Sequence, residues 1–273
     1  MPGKLTVCPT PIGNLGDITE RVRKALHEAD VIACEDTRRT GRLLELLEIK
    51  ALRMLSYHEG NEAERARELA QRIERGETVA LVSDAGTPGL SDPGYKLIRS
   101  CIDRDLEVEV LPGPSAVIVA LVASGLPTHR WRFQGFLPRR AGELERVLQS
   151  PETIVAFESP RRLPESLAAL ATLAPDRPAA VCRELTKLHE EIARGPLGEL
   201  SRRFRDGARG EIVVVIGPAS EAGGTDIGFA VDALRGLVRA GARPRSAASV
   251  VSALTGVPAN ELYRHLTGRD PRR

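Results

Sequence analysis

The chain contains little cysteine, and the cysteines it has are scattered. Four occur among 273 residues, and no two of them form a CxxC pair. This spacing gives no indication of a disulfide framework, so nothing in the sequence requires an oxidising compartment. Cys8, Cys34 and Cys182 lie in or beside apolar runs, which predicts buried thiols.

Excess charge and long apolar segments are also missing. The 39 basic residues nearly balance the 37 acidic ones, which excludes a uniformly basic surface, so any nucleic-acid binding must use local patches. The longest apolar run, Ala116–Ala123, is far too short to span a bilayer. The first residues, MPGKLTVCPTPIG, contain no apolar signal segment. We therefore expect a cytoplasmic protein with no membrane partner.

Several familiar catalytic motifs do not occur. There is no GxxxxGK[ST], which excludes a P-loop phosphate cradle, and Gly13–Gly16 does not match the GxGxxG of nicotinamide-binding folds. The five histidines are dispersed and none belongs to an HExxH pattern, so we expect no metal site. No Gly-x-Ser-x-Gly elbow is present either. Any chemistry must therefore be carried by other features.

The sequence does contain a regular alternation of short apolar runs and amphipathic segments in its N-terminal part. This alternation predicts a mostly parallel sheet with helices on both faces. The predicted strands are Leu5–Cys8, Val31–Cys34, Leu52–Leu55, Thr78–Val82 and Val108–Leu111, and the predicted helices are Thr19–Glu28, Thr40–Glu48, Asn61–Arg75 and Gly94–Arg104.

Glycine and proline concentrate in three loops at one edge of this predicted sheet. PTPIGNLGD follows the first strand, DAGTPGLSDPG the fourth and PGPSA the fifth. Ligands of such folds collect beyond the carboxyl ends of the strands, so these loops predict a small-molecule site made largely of backbone. In the second loop, Asp84 is a candidate acceptor for an amine or hydroxyl. Asp92, between Ser91 and Pro93, looks more like part of a helix cap than a catalyst.

The rest of the chain divides into two further parts. Between about 131 and 217 the predicted strands lie close together and partly as hairpins, which favours an α+β domain. The segment Glu221–Thr225 reads as a flexible linker. From Asp226 onward an amphipathic helix precedes two short helices around a Thr-Gly-Val-Pro turn, which is typical of a helix-turn-helix-like unit. This tail contains eight arginines and four acidic residues, so both RNA contact and packing or dimerisation remain open.

Longer motifs carry a resemblance to a known family. They are LTVCPTPIGNLGDITERVRKAL, CEDTRRTGRLL, LVSDAGTPGLSDPG, LPGPSAVIVALVASGLP and FQGFLPRR, followed by FESPRRL, CRELTKLHEEIARG and GEIVVVIG. In this order, from about Leu5 to Gly217, they resemble the tetrapyrrole-methylase superfamily. PGPSA alone is shared with corrinoid methylases and diphthine synthase. The combination of TPIGNLGD, CEDTRRT and DAGTPGLSDPG is similar to the members that methylate the 2′-hydroxyl of a cytidine in the decoding region of 16S ribosomal RNA.

The resemblance implies an α/β protein with two domains and a small helical extension. A mostly parallel αβα domain would occupy residues 1–114, an α+β domain 115–220, and a helical module 226–273. It also implies S-adenosylmethionine in the cleft between the two domains, without a metal. The implied cofactor-binding residues are Pro11, Ile12, Gly13, Asp84, Ala85, Gly86, Thr87, Pro88, Pro112, Gly113, Ser115, Ala116, Phe136 and Phe157.

The reaction implied is a displacement at the methyl carbon by a ribose oxygen, which requires alignment and a proton acceptor. The candidates are Glu35, Asp36, Glu158, Glu184 and Lys187. Each has an alternative role as the partner of a neighbouring charge. As a base, Lys187 would need a lowered pKa.

The resemblance also implies 16S ribosomal RNA as partner, within the 30S subunit, and a homodimer. The candidate RNA contacts are Arg38, Arg39, Arg42, Arg139, Arg140, Arg161 and Arg162. Such contacts to phosphates position a substrate without specifying it. Two other functions stay open: a methylase for a corrinoid or porphyrin precursor on the same fold, and a non-catalytic RNA-binding assembly factor.

Overall fold

The apolar runs of the N-terminal part form one fully parallel sheet. The computed structural model describes residues 3–219, 227–255 and 257–267. The strands have the order β3-β2-β4-β1-β5. Their bounds are β1 Lys4–Val7, β2 Val31–Cys34, β3 Met54–Ser56, β4 Val79–Val82 and β5 Glu107–Val110. Because every strand runs the same way, the loops after β1, β2, β4 and β5 meet at one edge, as expected.

Four helices cover both faces of this sheet. They are α1 Glu20–Glu28, α2 Thr37–Leu46, α3 Glu62–Glu74 and α4 Tyr95–Ile102. Side chains alternate along each strand, so Val79 and Leu81 pack with α3 and α4, while Ala80 and Val82 pack with α1 and α2. The prediction of a parallel sheet between helical layers is confirmed.

A mixed sheet follows, as the closely spaced strands predicted. The first helix of this part is α5 Ala116–Ser124, and the strands are β6 Trp131–Phe136, β7 Thr153–Glu158, β8 Pro178–Arg183, β9 Glu191–Pro196 and β10 Ile212–Ile216. Their order is β6-β7-β10-β8-β9; β6 and β7 are parallel, and the other pairs are antiparallel. Helices α6 Ala141–Leu148, α7 Leu163–Leu173 and α8 Leu197–Arg203 cover one face of this sheet.

The opposite face of the second sheet receives α5 and a loop from the first sheet. Val117 and Leu121 of α5 pack with Val213 and Val215 of β10, and Ile12 from the loop after β1 belongs to the same core. The two sheets are thus joined through one apolar cluster, at the edge where the glycine-rich loops lie. The helical nature of α5 is not apparent from the sequence, because AVIVALVAS is apolar all round and shows no helical periodicity.

The C-terminal part contains α9 Ile227–Arg239, α10 Pro244–Thr255 and α11 Ala259–Thr267. Leu234, Val251 and Leu262 contribute to a core that these helices share. The predicted linker Glu221–Thr225 lies outside the described residues. The division at residues 114 and 220 stays a proposal, as does the start of a separate module at 226.

The described parts of the chain contain no helix that is long and apolar enough to cross a membrane. All four cysteines are free and buried, which confirms the prediction for Cys8, Cys34 and Cys182. Burial raises the pKa of Cys8 to about 12 and that of Cys182 to about 11, so these thiols pack as small apolar groups.

Candidate functional site

The three glycine- and proline-rich loops are hydrogen-bonded to one another. Thr10, after β1, and Gly86, after β4, exchange two backbone hydrogen bonds of 2.9 and 3.0 Å. The hydroxyl of Thr87 donates to the carbonyl of Pro114 at 3.4 Å, which joins the β4 loop to the one after β5. The three loops therefore form one rigid wall.

Gly13 brings this wall against the second sheet. A Cβ at position 13 would lie 2.8 Å from the Thr186 hydroxyl and 3.0 Å from the carbonyl of Leu185. These separations are closer than a Cβ tolerates, so only glycine fits there. Gly86 has a different requirement, a φ of +78°, which side chains with a Cβ adopt only with strain.

A cavity of about 370 Å³ opens between the loops and the second sheet. This volume lies within the usual range of small-molecule sites. The aromatic part of its wall is an edge-to-face pair, Phe136 and Phe157, with ring centroids 5.8 Å apart. The lining residues are Ile12, Ala85, Gly86, Thr87, Leu90, Ser91, Asp92, Ser115, Ala116, Val117, Phe136, Phe157, Glu158, Ser159, Pro160, Leu185, Gly210, Glu211, Ile212 and Val213.

Most of the residues predicted to bind a cofactor line this cavity. Those that do are Ile12, Ala85, Gly86, Thr87, Ser115, Ala116, Phe136 and Phe157. Those outside its lining are Pro11, Gly13, Asp84, Pro88, Pro112 and Gly113. Gly113 has a supporting role instead, because a Cβ there would lie 2.6 Å from Cβ of Pro9, so the loop after β5 packs directly on the loop after β1.

The carboxylate of Asp84 links two loops and lies outside the cavity lining. Its Oδ1 accepts the backbone N–H of Asp36 at 3.2 Å, and its Oδ2 lies 3.1 Å from Nη1 of Arg39. The loop after β4 is thereby tied to the start of α2. Asp84 therefore positions the CEDTR segment.

Glu35 and Asp36, both candidate proton acceptors, have different surroundings. Asp36 caps α2 by accepting the N–H of Arg38 at 2.8 Å, and this bond holds the pKa of Asp36 below its usual range. Burial and the negative charge of Asp84 raise the pKa of Glu35, against a hydrogen bond from the Asp84 N–H and the charge of Arg39. Glu35 is thus the more basic of the two.

Asp92 is not part of a helix cap, which corrects the expectation for Ser91–Pro93. Helix α4 begins later, at Tyr95. Glu62 of α3 takes the capping role by accepting the N–H groups of Gly94 and Lys96 at 3.0 and 3.2 Å. Asp92 instead lines the cavity. Burial, with the negative charges of Glu35 and Asp84, raises the pKa of Asp92 to about 6, against a hydrogen bond from Ser83.

Glu158 lines the cavity but is occupied on both oxygens. Its Oε1 accepts the N–H of Ser159 at 2.7 Å and lies 3.3 Å from Nη1 of Arg162, while Oε2 accepts the hydroxyl of Ser166 at 2.5 Å. Arg162 also donates to the carbonyl of Leu137 at 3.0 Å. Both side chains hold the second sheet's loops in place through these contacts.

Glu184 and Lys187 form an ionic cluster with Glu211 at the rim of the cavity. Nζ of Lys187 lies 2.8 Å from Glu184 and 3.2 Å from Glu211. Burial lowers the pKa of Lys187, but its hydrogen bonds to these two carboxylates outweigh burial and raise it overall. This is opposite to the shift that a lysine base would need.

Thr186, in the same segment, has an unusual environment. Its hydroxyl is buried without a hydrogen-bond partner among the described residues, and its backbone adopts a φ of +66°. Unpartnered buried hydroxyls are rare, and non-glycine residues at positive φ concentrate at functional sites. Thr186, which sequence reasoning missed, contacts the Gly13 loop and has hydrogen-bonding capacity that the protein leaves unused.

The predicted RNA contacts differ in how exposed and how occupied they are. Arg38, Arg39 and Arg42 on α2 are exposed and pair with Asp36, Asp84 and Glu45, respectively. Arg139, Arg140 and Arg161 are exposed, whereas the guanidinium of Arg162 is committed to Glu158. The described residues contain no group of histidine, cysteine and carboxylate side chains that could hold a metal.

Comparisons with known proteins place the chain in a family. Residues 4–201 match the family model described as Tetrapyrrole (Corrin/Porphyrin) Methylases. The chain is 44% identical to the Ribosomal RNA small subunit methyltransferase I of Micromonospora olivasterospora, over 97% of this chain and 86% of that protein. It is 47% identical to the protein of the same name from a Hydrogenobaculum species, over 78% of this chain and 95% of the relative.

A solved structure shows the same fold. The uroporphyrin-III C-methyl transferase of Thermus thermophilus, complexed with S-adenyl homocysteine, aligns with a TM-score of 0.56 at 21% identity, covering 79% of this chain and 97% of that one. The glycine-rich loop motifs indicated the same family as these comparisons. The family model matches residues 4–201, and the identity to a curated relative extends along nearly the whole chain. This chain belongs to the tetrapyrrole methylase family.

Proposed function

We propose that this protein transfers a methyl group from S-adenosylmethionine to the 2′-hydroxyl of a cytidine in 16S ribosomal RNA. The observation that carries the proposal is the cavity enclosed by the three glycine-rich loops and the second sheet, in a chain 44% identical to a curated ribosomal RNA methyltransferase. The cytidine, its 2′-oxygen and the decoding region follow from the resemblance of the TPIGNLGD, CEDTRRT and DAGTPGLSDPG motifs.

The residues present fit the cofactor. Gly86 leaves open the space beside Ile12, where a Cβ would lie 3.5 Å from Cγ2 of Ile12, and the Phe136–Phe157 pair offers apolar surface for a flat base. The unpartnered hydroxyl of Thr186 lies one residue from Leu185, which lines the cavity. Ser115 makes no side-chain cap for α5, so the first-turn N–H groups of α5 are further donors at the cavity wall.

The cofactor supplies, when bound, a methyl group on a sulfonium, so the protein needs no nucleophile of its own. Its residues must align the ribose oxygen and accept a proton while the oxygen–carbon bond forms and the carbon–sulfur bond breaks. Asp92 is the carboxylate that the geometry favours as proton acceptor. It lines the cavity, and a pKa of about 6 suits a base working near neutral pH. Burial is the main cause of that raised pKa, and the negative charge of Glu35 adds to it.

The proposal extends to the assembled 30S subunit as substrate and to a homodimer. Apolar side chains exposed on α5 and the edge strand β5 support a second copy as occupant: Val122 is 68% and Val110 is 59% exposed. Light scattering after gel filtration tests this part directly. A dimeric mass supports the homodimer, and a monomeric mass at micromolar concentration contradicts it without affecting the proposed chemistry.

Labelled-methyl transfer tests the proposed function. The purified protein is incubated with labelled S-adenosylmethionine and either undermethylated 30S subunits, free 16S RNA or uroporphyrinogen III. We expect label in the subunit RNA, recovered as a 2′-O-methylated cytidine after nuclease digestion. Transfer to the porphyrinogen alone would replace the proposal with the tetrapyrrole methylase alternative. Cofactor binding without transfer to any acceptor would contradict it.

A further inference from the structure

A second depression adjoins the cavity and has three arginines in its lining. It is an open groove of about 610 Å³, and it shares Pro160 and Gly210 with the cavity wall. Its lining residues are Pro160, Arg161, Pro164, Arg205, Asp206, Gly207, Ala208, Arg209 and Gly210. Three arginines and one aspartate give it a net positive charge, whereas two of the three carboxylates that line the adjoining cavity, Glu158 and Glu211, are paired with Arg162 and Lys187.

The arginines of this groove are largely unpaired. Arg161 and Arg209 form no ion pair with any described residue, and Arg205 is 3.5 Å from Asp206, with both side chains highly exposed. Nearby arginines differ, because Arg183 and Arg203 both pair with Glu191. The groove therefore presents guanidinium groups to solvent that no structural carboxylate neutralises.

The loop that carries Arg205 and Arg209 is fixed in place. Nη1 of Arg183 donates to the carbonyl of Arg209 at 3.2 Å, and Oε1 of Glu184 accepts the N–H of Glu211 at 2.9 Å. Gly210, at a φ of +89°, packs so closely on Glu184 that a Cβ would overlap its side chain. Gly210 and Glu211 of this loop therefore line the cavity, while Arg205 and Arg209 of the same loop line the groove.

We propose that this groove binds the backbone phosphates of the RNA strand that flank the methylated nucleotide. The inference rests on the proposed function and adds a site to it. Arginine contacts phosphate through two N–H groups at once. The shared wall at Pro160 and Gly210 places the arginines beside the entrance, so that phosphates next to the target nucleotide reach them.

The test combines three arginine variants with a matched control. Arg161→Gln, Arg205→Gln and Arg209→Gln are made singly and together, and Arg67→Gln and Arg146→Gln serve as controls. Each control side chain is exposed on a helix and donates only to a carbonyl four residues earlier. Binding of undermethylated 16S RNA is measured across salt concentrations, with KM and kcat for methyl transfer and calorimetric affinity for S-adenosylmethionine.

We expect the triple variant to raise KM for RNA by roughly 10–100-fold and to lower the log–log salt slope by about 2, since each phosphate contact on single strands contributes about 0.7. The kcat at saturating RNA, the cofactor affinity and the melting temperature should stay unchanged, as should all values of the controls. Arg→Lys replacements at the three positions should restore the salt slope but only part of the affinity, because lysine keeps the charge and loses the bidentate contact.

The outcomes distinguish a failure of the groove proposal from a failure of the proposed function. If the wild type methylates RNA and the triple variant has the same KM and salt slope, the groove proposal is wrong and the function stands. If the wild type binds the cofactor and transfers no methyl group to RNA, the proposed function fails, and the groove proposal falls with it.

Discussion

Thr10 and Gly86 exchange two backbone hydrogen bonds, of 2.9 and 3.0 Å. This pairing is an isolated antiparallel bridge between loops that follow two parallel strands. It closes the cavity wall without using any side chain. We therefore expect cofactor binding to require the backbone conformation of Gly86.

Gly86→Ala tests that requirement. The φ of +78° at Gly86 costs a residue with a Cβ about 1–2 kcal/mol, and the added methyl group enters the cavity wall beside Ile12. We expect the free energy of unfolding to fall by about that amount and the affinity for S-adenosylmethionine to fall at least tenfold in calorimetry.

Gly125→Ala is the matched control for that variant. Gly125 has a similar φ of +72°, and no atom lies within 4 Å of a Cβ built there. We expect a comparable loss of stability without a change in cofactor affinity. Equal cofactor affinity in the two variants would mean that the loop at Gly86 does not contact the cofactor.

Asp92→Asn should remove the acid limb of the pH–rate profile. The pKa of Asp92 is raised to about 6, so kcat/KM for the wild type should fall as pH drops through about 6, when this carboxylate becomes protonated. The variant lacks the proton acceptor, and we expect kcat to fall by about 10²–10⁴-fold with unchanged cofactor affinity. If the variant retains both the rate and the limb near pH 6, Asp92 is not the proton acceptor.

The same substitution should change stability in a pH-dependent manner. Because the folded-state pKa of about 6 exceeds the ordinary value of 3.8, ionised Asp92 destabilises the fold progressively as pH rises from about 4 to 6. We therefore expect Asp92→Asn to raise the free energy of unfolding at pH 7.5 by on the order of 2 kcal/mol, and to have no such effect below pH 4. Urea denaturation at both pH values measures this. Asp103→Asn, at an exposed pair with Arg99, is the control.

Lys187→Met tests whether the lysine acts as a base. Its pKa is raised by its two carboxylate partners, so it is protonated at neutral pH and cannot accept a proton. We expect the variant to raise KM for the cofactor, because Glu184 and Glu211 lose their shared cation and the loop against Gly13 loosens. The kcat should fall less than tenfold, with an unchanged pH profile. If the variant loses kcat, and with it a wild-type limb on which the rate rises at alkaline pH, the base would be Lys187.

Glu158→Gln should lower the thermal stability of the protein. The side chain of Glu158 is fully buried beside Arg162, and breaking a buried pair by removing one charge typically costs about 3–5 kcal/mol. We expect a large drop in melting temperature in differential scanning calorimetry. Arg162→Met should behave similarly and leave the salt slope of RNA binding unchanged. Arg139→Met, at an exposed position, should leave the melting temperature unchanged. Equal melting temperatures for all three variants would contradict a structural role for the Glu158–Arg162 pair.

Much of the fold is predictable from hydrophobic periodicity. The run Val31–Cys34 becomes a strand with those bounds, because strands buried in a parallel sheet are continuously apolar. The helix α5 escapes prediction because it is also apolar on every side, so its sequence has no helical periodicity, and it lies against the second sheet.

Residue patterns alone, without the family resemblance, predict the site only where backbone forms it. Glycine and proline mark the loop at Gly86 in the sequence alone, but Leu185 and Glu211 line the cavity from loops next to strands β8 and β10, where no local pattern distinguishes them. The interpretation of Asp92 as part of a cap fails because Glu62, which precedes Gly94 by 32 residues, takes that role. Such a replacement is a tertiary effect that a local motif does not reveal.

Calorimetric titration of the purified chain with S-adenosylmethionine tests the central claim, that the loops after β1, β4 and β5 form a methyl-donor site with the second sheet. We predict one site per chain, with affinity strongly reduced in Gly86→Ala and retained in Gly125→Ala. Absence of binding to the wild type, or equal binding by both variants, would contradict this claim.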